Sequence, residues 1–209
     1  YTVDSPHVSA DLDYTSTTAL SGTIKDVAGN SSPLTLPAPG AAGSLGANKN
    51  LVIDGIAPTV QSVTSTNANG SYGATNEIDI TVTFSENITI TGTPTLTLNT
   101  TPSRTASYVS RSGTVATFRY TVQTNDTSSD LDYASTSALS LAGGTIRDGA
   151  GNNASLTLPT VGGASSLGGQ KAIVIVGGST PPVLSASPAS TDGYVDTQST
   201  IDVNNNTGN

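Results

Sequence analysis

The sequence predicts an all-β protein built from two-layer β-sandwiches. Short runs of alternating apolar and polar residues recur along the chain, Gly, Asn and Ser pairs separate them, and no segment of ten or more residues has helical periodicity. Only 34% of the 209 residues are hydrophobic and 4% are aromatic, so any core must be thin. Packed sheets suit such a composition, because only every second residue of a strand faces inward.

The alternation is clearest between positions 78 and 84, where four apolar residues are separated by single polar ones. Positions 116–122 show the same pattern, and Leu96 with Leu98 and Leu156 with Leu158 indicate shorter strands. The opening residues Tyr1–Val3 also read as part of a strand. We therefore predict one closed sandwich over residues 57–176, whose core includes Ile80, Val82, Phe84, Phe118, Leu158 and Ile175.

An internal repeat sets the domain organisation. Residues 1–14 match residues 120–133 at an offset of 119, and Gly22–Asp26 match Gly144–Asp148 at an offset of 122, so one turn differs in length. Residues 57–119 have no earlier counterpart and supply the first half of a module. The repeat predicts a C-terminal half-module in residues 1–56, a complete module in 57–178, and the N-terminal start of a further module in 179–209.

Both partial modules are expected to expose apolar edges, because each lacks the strands that would cover its core. We expect neighbouring modules of a longer polypeptide, or segments from adjacent subunits, to cover these edges. Strand addition between subunits would give a homopolymer.

The order of these segments resembles a family of bacterial immunoglobulin-like repeats, and the resemblance covers Tyr1 to Val176. It rests on residues 57–60 (APTV), 78–86 (IDITVTFSE), 118–122 (FRYTV), 144–148 (GTIRD) with 150–152 (AGN), and 173–175 (IVI). The tail from Pro182 more weakly resembles the opening of another bacterial immunoglobulin-like type. The resemblance implies tandem immunoglobulin-like sandwiches in a large secreted adhesin, biofilm-matrix protein or other surface protein, where such repeats act chiefly as spacers.

Composition excludes several kinds of partner. The formal charge of −8 and the pI near 4.2 argue against nucleic acid and anionic membrane surfaces, which require clustered Lys and Arg. No run of about 18 apolar residues occurs, so no membrane insertion is expected in this segment. Cysteine is absent, which rules out a disulfide framework and a thiol site.

No catalytic constellation stands out, and the chain is not expected to be an enzyme. His7 is the single histidine, and its counterpart in the repeat is Asp126, so a Ser-His-Asp triad is not maintained. Asp130 and Asp132 form a carboxylate pair in a Ser- and Thr-rich run that carries no sign of acid–base work. We expect His7 to be an exposed loop residue.

Calcium is the one cofactor that the residues suggest. Calcium takes about six to eight oxygen ligands, which adjacent modules can share across a linker. In a sandwich, the strand ending at Ser85 returns towards the linker that contains Asp54 and so delivers Glu86 beside it. Acidic loops of the preceding module, which carry Asp11, Asp13 or Asp26, are expected to face the same junction, and Asp26 is the candidate ligand among them. The alternative is that Glu86 caps a turn and Asp54 is a solvated linker residue.

The sequence therefore favours a structural, non-catalytic role outside the cell, in an adhesin stalk, a filament or a matrix. The alternative function is a binding module whose polar loops recognise a glycan or a protein, since such sandwiches host many sites. The structural role is preferred because Ser44–Gly46 and Ser166–Gly168 carry identical residues, whereas duplicated recognition loops would be expected to differ.

Overall fold

The longest strands arise where the sequence alternates most regularly. The structure, a computed structural model, describes residues 1–178, which belong to one compact unit. The elements in chain order are β1 (Val8–Ser9), α1 (Leu45–Asn48), β2 (Ile53–Asp54), β3 (Val60–Ser65), β4 (Gly70–Tyr72), β5 (Glu77–Phe84), β6 (Thr89–Thr91), β7 (Thr95–Thr97), β8 (Thr105–Ser112), β9 (Val115–Thr121), β10 (Thr127–Ser128), β11 (Leu139–Ser140), β12 (Thr145–Arg147), α2 (Leu167–Gln170) and β13 (Ile173–Val176).

The strands form antiparallel sheets with one parallel pair. The largest sheet has the order β11-β7-β8-β9-β5-β3, and a second sheet has the order β10-β13-β4, in which β13 and β4 run parallel. Two small ladders join β1 to β2 and β12 to β6. The all-β prediction is confirmed for residues 1–178. Neither of the four-residue helices in this range approaches the length needed to cross a bilayer.

One hydrophobic core contains buried side chains from both larger sheets. Every second residue of β5 and β9 points into it, and Phe118 meets Tyr108 edge-on at 6.1 Å between ring centroids. The burial predicted from the alternation is confirmed for all six side chains, namely Ile80, Val82, Phe84, Phe118, Leu158 and Ile175. On the opposite face of β5, Arg119 donates two hydrogen bonds to Asp79 across the strand pair, at 2.7 and 2.8 Å.

Two predicted strands are wrong. Residues 156–158 are not in a strand. Leu158 N donates to Thr136 O, but the segment around Thr136 is not a strand either, so no sheet ladder forms there. Tyr1–Val3 are not in a strand either, whereas two of their three counterparts, Tyr120 and Thr121, belong to β9 and pair with β5. The predicted third module, residues 179–209, lies outside the described residues.

The repeat in the sequence is also a repeat of local structure. We call residues 1–56 the first copy, residues 120–178 the second copy, and residues 57–119 the intervening segment. Tyr14 donates its hydroxyl to Pro37 O at 2.7 Å, and Tyr133 donates to Pro159 O at 2.6 Å. The two single-turn helices also match, since Ser44 and Ser166 accept from the third backbone N–H after them at 3.1 and 3.0 Å. The same residues thus make the same turns twice.

Candidate metal centre

Three carboxylates meet where the first copy joins the intervening segment. Asp54, Glu86 and Asp148 each place an oxygen within 4.8 Å of the others. Asp148 is buried, while Asp54 and Glu86 are partly exposed. We call these three residues the acidic cluster.

Sheet topology brings Glu86 to Asp54. Strand β3 leaves the linker and β5 returns antiparallel to it, with Val60 opposite Phe84. Ser85 then donates its N–H to Thr59 O at 2.8 Å, which fixes the end of the returning strand next to the linker. Asp54 is the last residue of β2. The sequence-based prediction that Asp54 and Glu86 lie side by side agrees with this geometry.

Asn152 connects the third carboxylate to the linker backbone. Asp148 accepts the Asn152 backbone N–H at 2.8 Å and one side-chain N–H at 2.7 Å. The same side-chain amide donates to Asp54 O at 2.9 Å and to Ile56 O at 3.3 Å. A turn of the second copy is therefore hydrogen-bonded directly to the linker that follows the first copy.

Crowding of negative charge changes the acidity of the cluster. Burial raises the pKa of Glu86, and the neighbouring Asp54 and Asp148 carboxylates raise it further. Burial also opposes ionisation of Asp148, but hydrogen bonds from Asn152 and the turn backbone outweigh it and lower the pKa of Asp148. Among the described residues, the ion pairs engage Glu77, Asp79 and Asp126, which lie outside the cluster. A cation would relieve the repulsion on Glu86.

Asp26 lies outside the acidic cluster. Its repeat counterpart, Asp148, takes the third place instead, and in both copies the Asp side chain accepts two hydrogen bonds from the Asn four residues later. The repeat contained the signal for Asp148, since Gly22–Asp26 match Gly144–Asp148. Sequence reasoning placed the loop of the preceding copy at the junction, whereas the fold places the equivalent loop of the second copy there.

The residues that could have suggested catalysis have structural surroundings. Asp132 accepts hydrogen bonds from Tyr133 N at 2.9 Å and from Gly162 N at 3.0 Å, so it stabilises two turns. His7 is exposed, as predicted, and its ring lies 5.8 Å from that of Tyr1. Its counterpart Asp126 is buried in a hydrogen-bond network that the sequence did not reveal.

Removing the Asn152 amide should weaken the structure more than removing the matched amide of the first copy. Asn152→Ala removes the amide donor to the carbonyls of Asp54 and Ile56 and one of the donors to the Asp148 carboxylate, and we expect a loss of about 1–3 kcal/mol in the free energy of unfolding, measured by urea denaturation. Asn30→Ala removes only the corresponding side-chain hydrogen bond to exposed Asp26 and should cost much less. Equal losses for the two variants would show that the linker contacts contribute nothing.

No known protein-family model, curated protein or solved structure matches this chain.

Proposed function

We propose that this chain is a non-catalytic structural segment of a long extracellular bacterial surface protein, serving in an adhesin stalk, filament or matrix. The observation that carries the proposal is the junction at residues 54–57, where Asn152 holds the linker backbone and three carboxylates converge. Such a junction limits bending between successive repeats. The location at the cell surface rests on the resemblance to bacterial immunoglobulin-like repeats in tandem.

The arrangement of strands favours a load-carrying role over loop recognition. Strands β5, β8 and β9 lie side by side in the largest sheet and are joined by backbone hydrogen bonds along most of their length. Corresponding turns of the two copies make matching hydrogen bonds, as Gly40 N to Asp13 and Gly162 N to Asp132 do, both at 3.0 Å. Loops that recognise a glycan or protein would have no need to be duplicated in this way.

We further propose that calcium binds the acidic cluster and stiffens the junction. Three carboxylates can supply up to about six oxygens to a hard cation that takes about six to eight, with water completing the shell. Asp148 and Glu86 come from residues 57–178, while Asp54 belongs to the first copy. A shared dication would therefore hold the two parts together.

Calcium should narrow the range of distances across this junction in the wild type but not in Glu86→Gln. Because the chain has no cysteine, spin labels can be placed at Val27→Cys and Ser112→Cys, both at exposed positions on the two sides of the linker. We expect a narrower distance distribution with calcium, and an affinity by calorimetry that falls at least about tenfold in Glu86→Gln. Asp26→Asn is the matched control, since Asp26 lies outside the cluster. If calcium changed neither the distance distribution nor the heat signal of the wild type, both the proposed calcium site and its stiffening of the junction would be contradicted.

As the pH falls, calcium binding to the acidic cluster should weaken at a higher pH than calcium binding to carboxylates of ordinary pKa. The pKa of Glu86 is raised, so as the pH falls this group takes up a proton earlier than a free glutamate, and the protonated form cannot ligate. Without calcium, a fall in pH has the opposite effect through Glu86, because protonation of this group stabilises the folded state. A raised carboxyl pKa makes the folded state more favourable below the unfolded value of 4.5, and this contribution is lost as the pH rises through the folded pKa.

A further inference from the structure

Apolar side chains that are buried in the second copy are exposed in the first. Ile146 is 2% exposed and its counterpart Ile24 is 50% exposed. Ile173 and Leu51 are 0% and 40% exposed, and Val122 and Val3 are 2% and 43% exposed. Leu20 and Leu45 are also exposed, while their counterparts Leu139 and Leu167 are buried. These five residues of the first copy, Val3, Leu20, Ile24, Leu45 and Leu51, define what we call the open face.

The second copy shows what covers such a face. Ile146 lies opposite Ile90 in the β12–β6 ladder, and Ile173 lies opposite Gly70 in the parallel β13–β4 pair. Leu139 lies opposite Leu96 in the β11–β7 pair. Each of these partners belongs to the intervening segment, and all but Gly70 contribute apolar side chains to the core or against it.

Backbone groups at the open face are also without the partners found in the second copy. In the second copy Ser165 O accepts from Val63 N at 2.9 Å and Ala172 O accepts from Gly70 N at 3.0 Å. The counterparts, Gly43 O and Asn50 O, accept no backbone hydrogen bond from within residues 1–178. Unpaired carbonyls beside exposed apolar side chains are the features of a sheet edge that can receive another chain segment.

The backbone of the first copy nevertheless has the same pairing as that of the second copy, which is covered by the intervening segment. Leu12 N donates to Leu51 O at 2.8 Å, as Leu131 N donates to Ile173 O at 2.8 Å. The strand pair β1–β2 matches β10–β13, with Val8 opposite Asp54 and Thr127 opposite Val176. The open face is therefore arranged like the covered one.

A second copy of this chain is a poor candidate for the occupant. Within residues 1–178 there is one intervening segment and there are two copies that fit it, and the second copy already packs on it. Exchange of intervening segments between two chains would cover one face only by uncovering another. Residues 1–178 of a second copy therefore cannot supply the occupant, which must be an additional segment of the same type.

The geometry points to the open face as a docking site for a second polypeptide segment with the strand pattern of residues 57–119, joined to Tyr1 as Arg119 is joined to Tyr120. The segment would place an alternating strand opposite Leu20, an apolar residue opposite Ile24, and a parallel strand beside Leu51. This inference does not depend on calcium or on a location outside the cell.

A fused chain tests this inference. Residues 57–119 are placed directly before Tyr1, and a single thiol is introduced by Ile24→Cys into the cysteine-free sequence. We expect labelling of this thiol by a small maleimide to be at least about tenfold slower in the fused chain than in the original chain, because docking leaves only local opening as a route to the thiol. Val27→Cys, fully exposed, should label equally fast in both chains.

A second fused chain carries Phe118→Asp in the added segment only and should label at Ile24→Cys as fast as the original chain. Limited proteolysis reports whether the added segment packs. Equal labelling in the original and fused chains, with the added segment cleaved or intact, would overturn the inference. So would labelling of the original chain that slows as its concentration rises, because a second copy would then be the occupant.

Discussion

Ile146→Asp should unfold residues 57–178, whereas the same change at the matched position, Ile24→Asp, should leave the free energy of unfolding within about 0.5 kcal/mol of the wild type. Ile146 is 2% exposed and packs in the core, while Ile24 is 50% exposed. A buried carboxylate without a partner costs several kcal/mol, and the lost burial of an isoleucine adds about 2 kcal/mol. The sum is comparable to the whole stability of a typical domain, about 5–15 kcal/mol.

Circular dichroism and urea denaturation of the two variants check this expectation, and Ile146→Val with Ile24→Val provides a milder matched pair. The valine change should cost about 0.5–1.5 kcal/mol at the buried position and almost nothing at the exposed one. If Ile24→Asp were as damaging as Ile146→Asp, the open face would have to be covered already in the isolated chain.

Asp126→Ala should lower the free energy of unfolding by about 3–5 kcal/mol, since removing one partner of a buried charged network leaves the others without it. The Asp126 side chain is buried and accepts hydrogen bonds from Arg104 Nε at 2.7 Å, the Tyr120 hydroxyl at 2.6 Å and Gln123 N at 2.8 Å. Burial and the bond to Asp126 also raise the pKa of Tyr120, so that hydroxyl stays a donor.

Asp79→Ala is the control, because its pair with Arg119 is partly exposed and is expected to contribute about 1 kcal/mol or less. Acid titration adds an independent test. Although burial opposes its ionisation, Asp126 has a lowered pKa because Tyr120, Gln123 and Arg104 bond to the charged form. Its stabilising contribution is therefore present above the unfolded value of 3.8 and is lost as the pH falls through the folded pKa. A loss no greater for Asp126→Ala than for Asp79→Ala would contradict the proposed network.

Period-two alternation was sufficient to predict the core, because Ile80, Val82 and Phe84 can share one face only in a strand. It failed for residues 156–158, whose burial alternates without a strand partner. Alternation reports which side chains are inside, and it does not report whether the neighbouring backbone is positioned to form a ladder.

The candidate site was partly predictable for a similar reason. Antiparallel return of β5 brings Glu86 to Asp54 in any sandwich of this order, whereas the place of Asp148 depends on how a distant turn packs against the linker. The buried Asp126 network was missed because its partner Arg104 lies in the intervening segment, which has no repeat for comparison. The counterpart of Asp126, His7, suggested only a variable loop.

The parallel pairing of β13 with β4 determines how residues 57–178 respond to being pulled from both ends. Tension that reaches β4 from the N-terminal side and β13 from the C-terminal side draws two parallel strands in opposite directions along their length. Their hydrogen bonds, which are evenly spaced in a parallel pair, are then loaded in shear at the same time and do not break one after another. The pairing of β13 with β4 thus resists extension of residues 57–178.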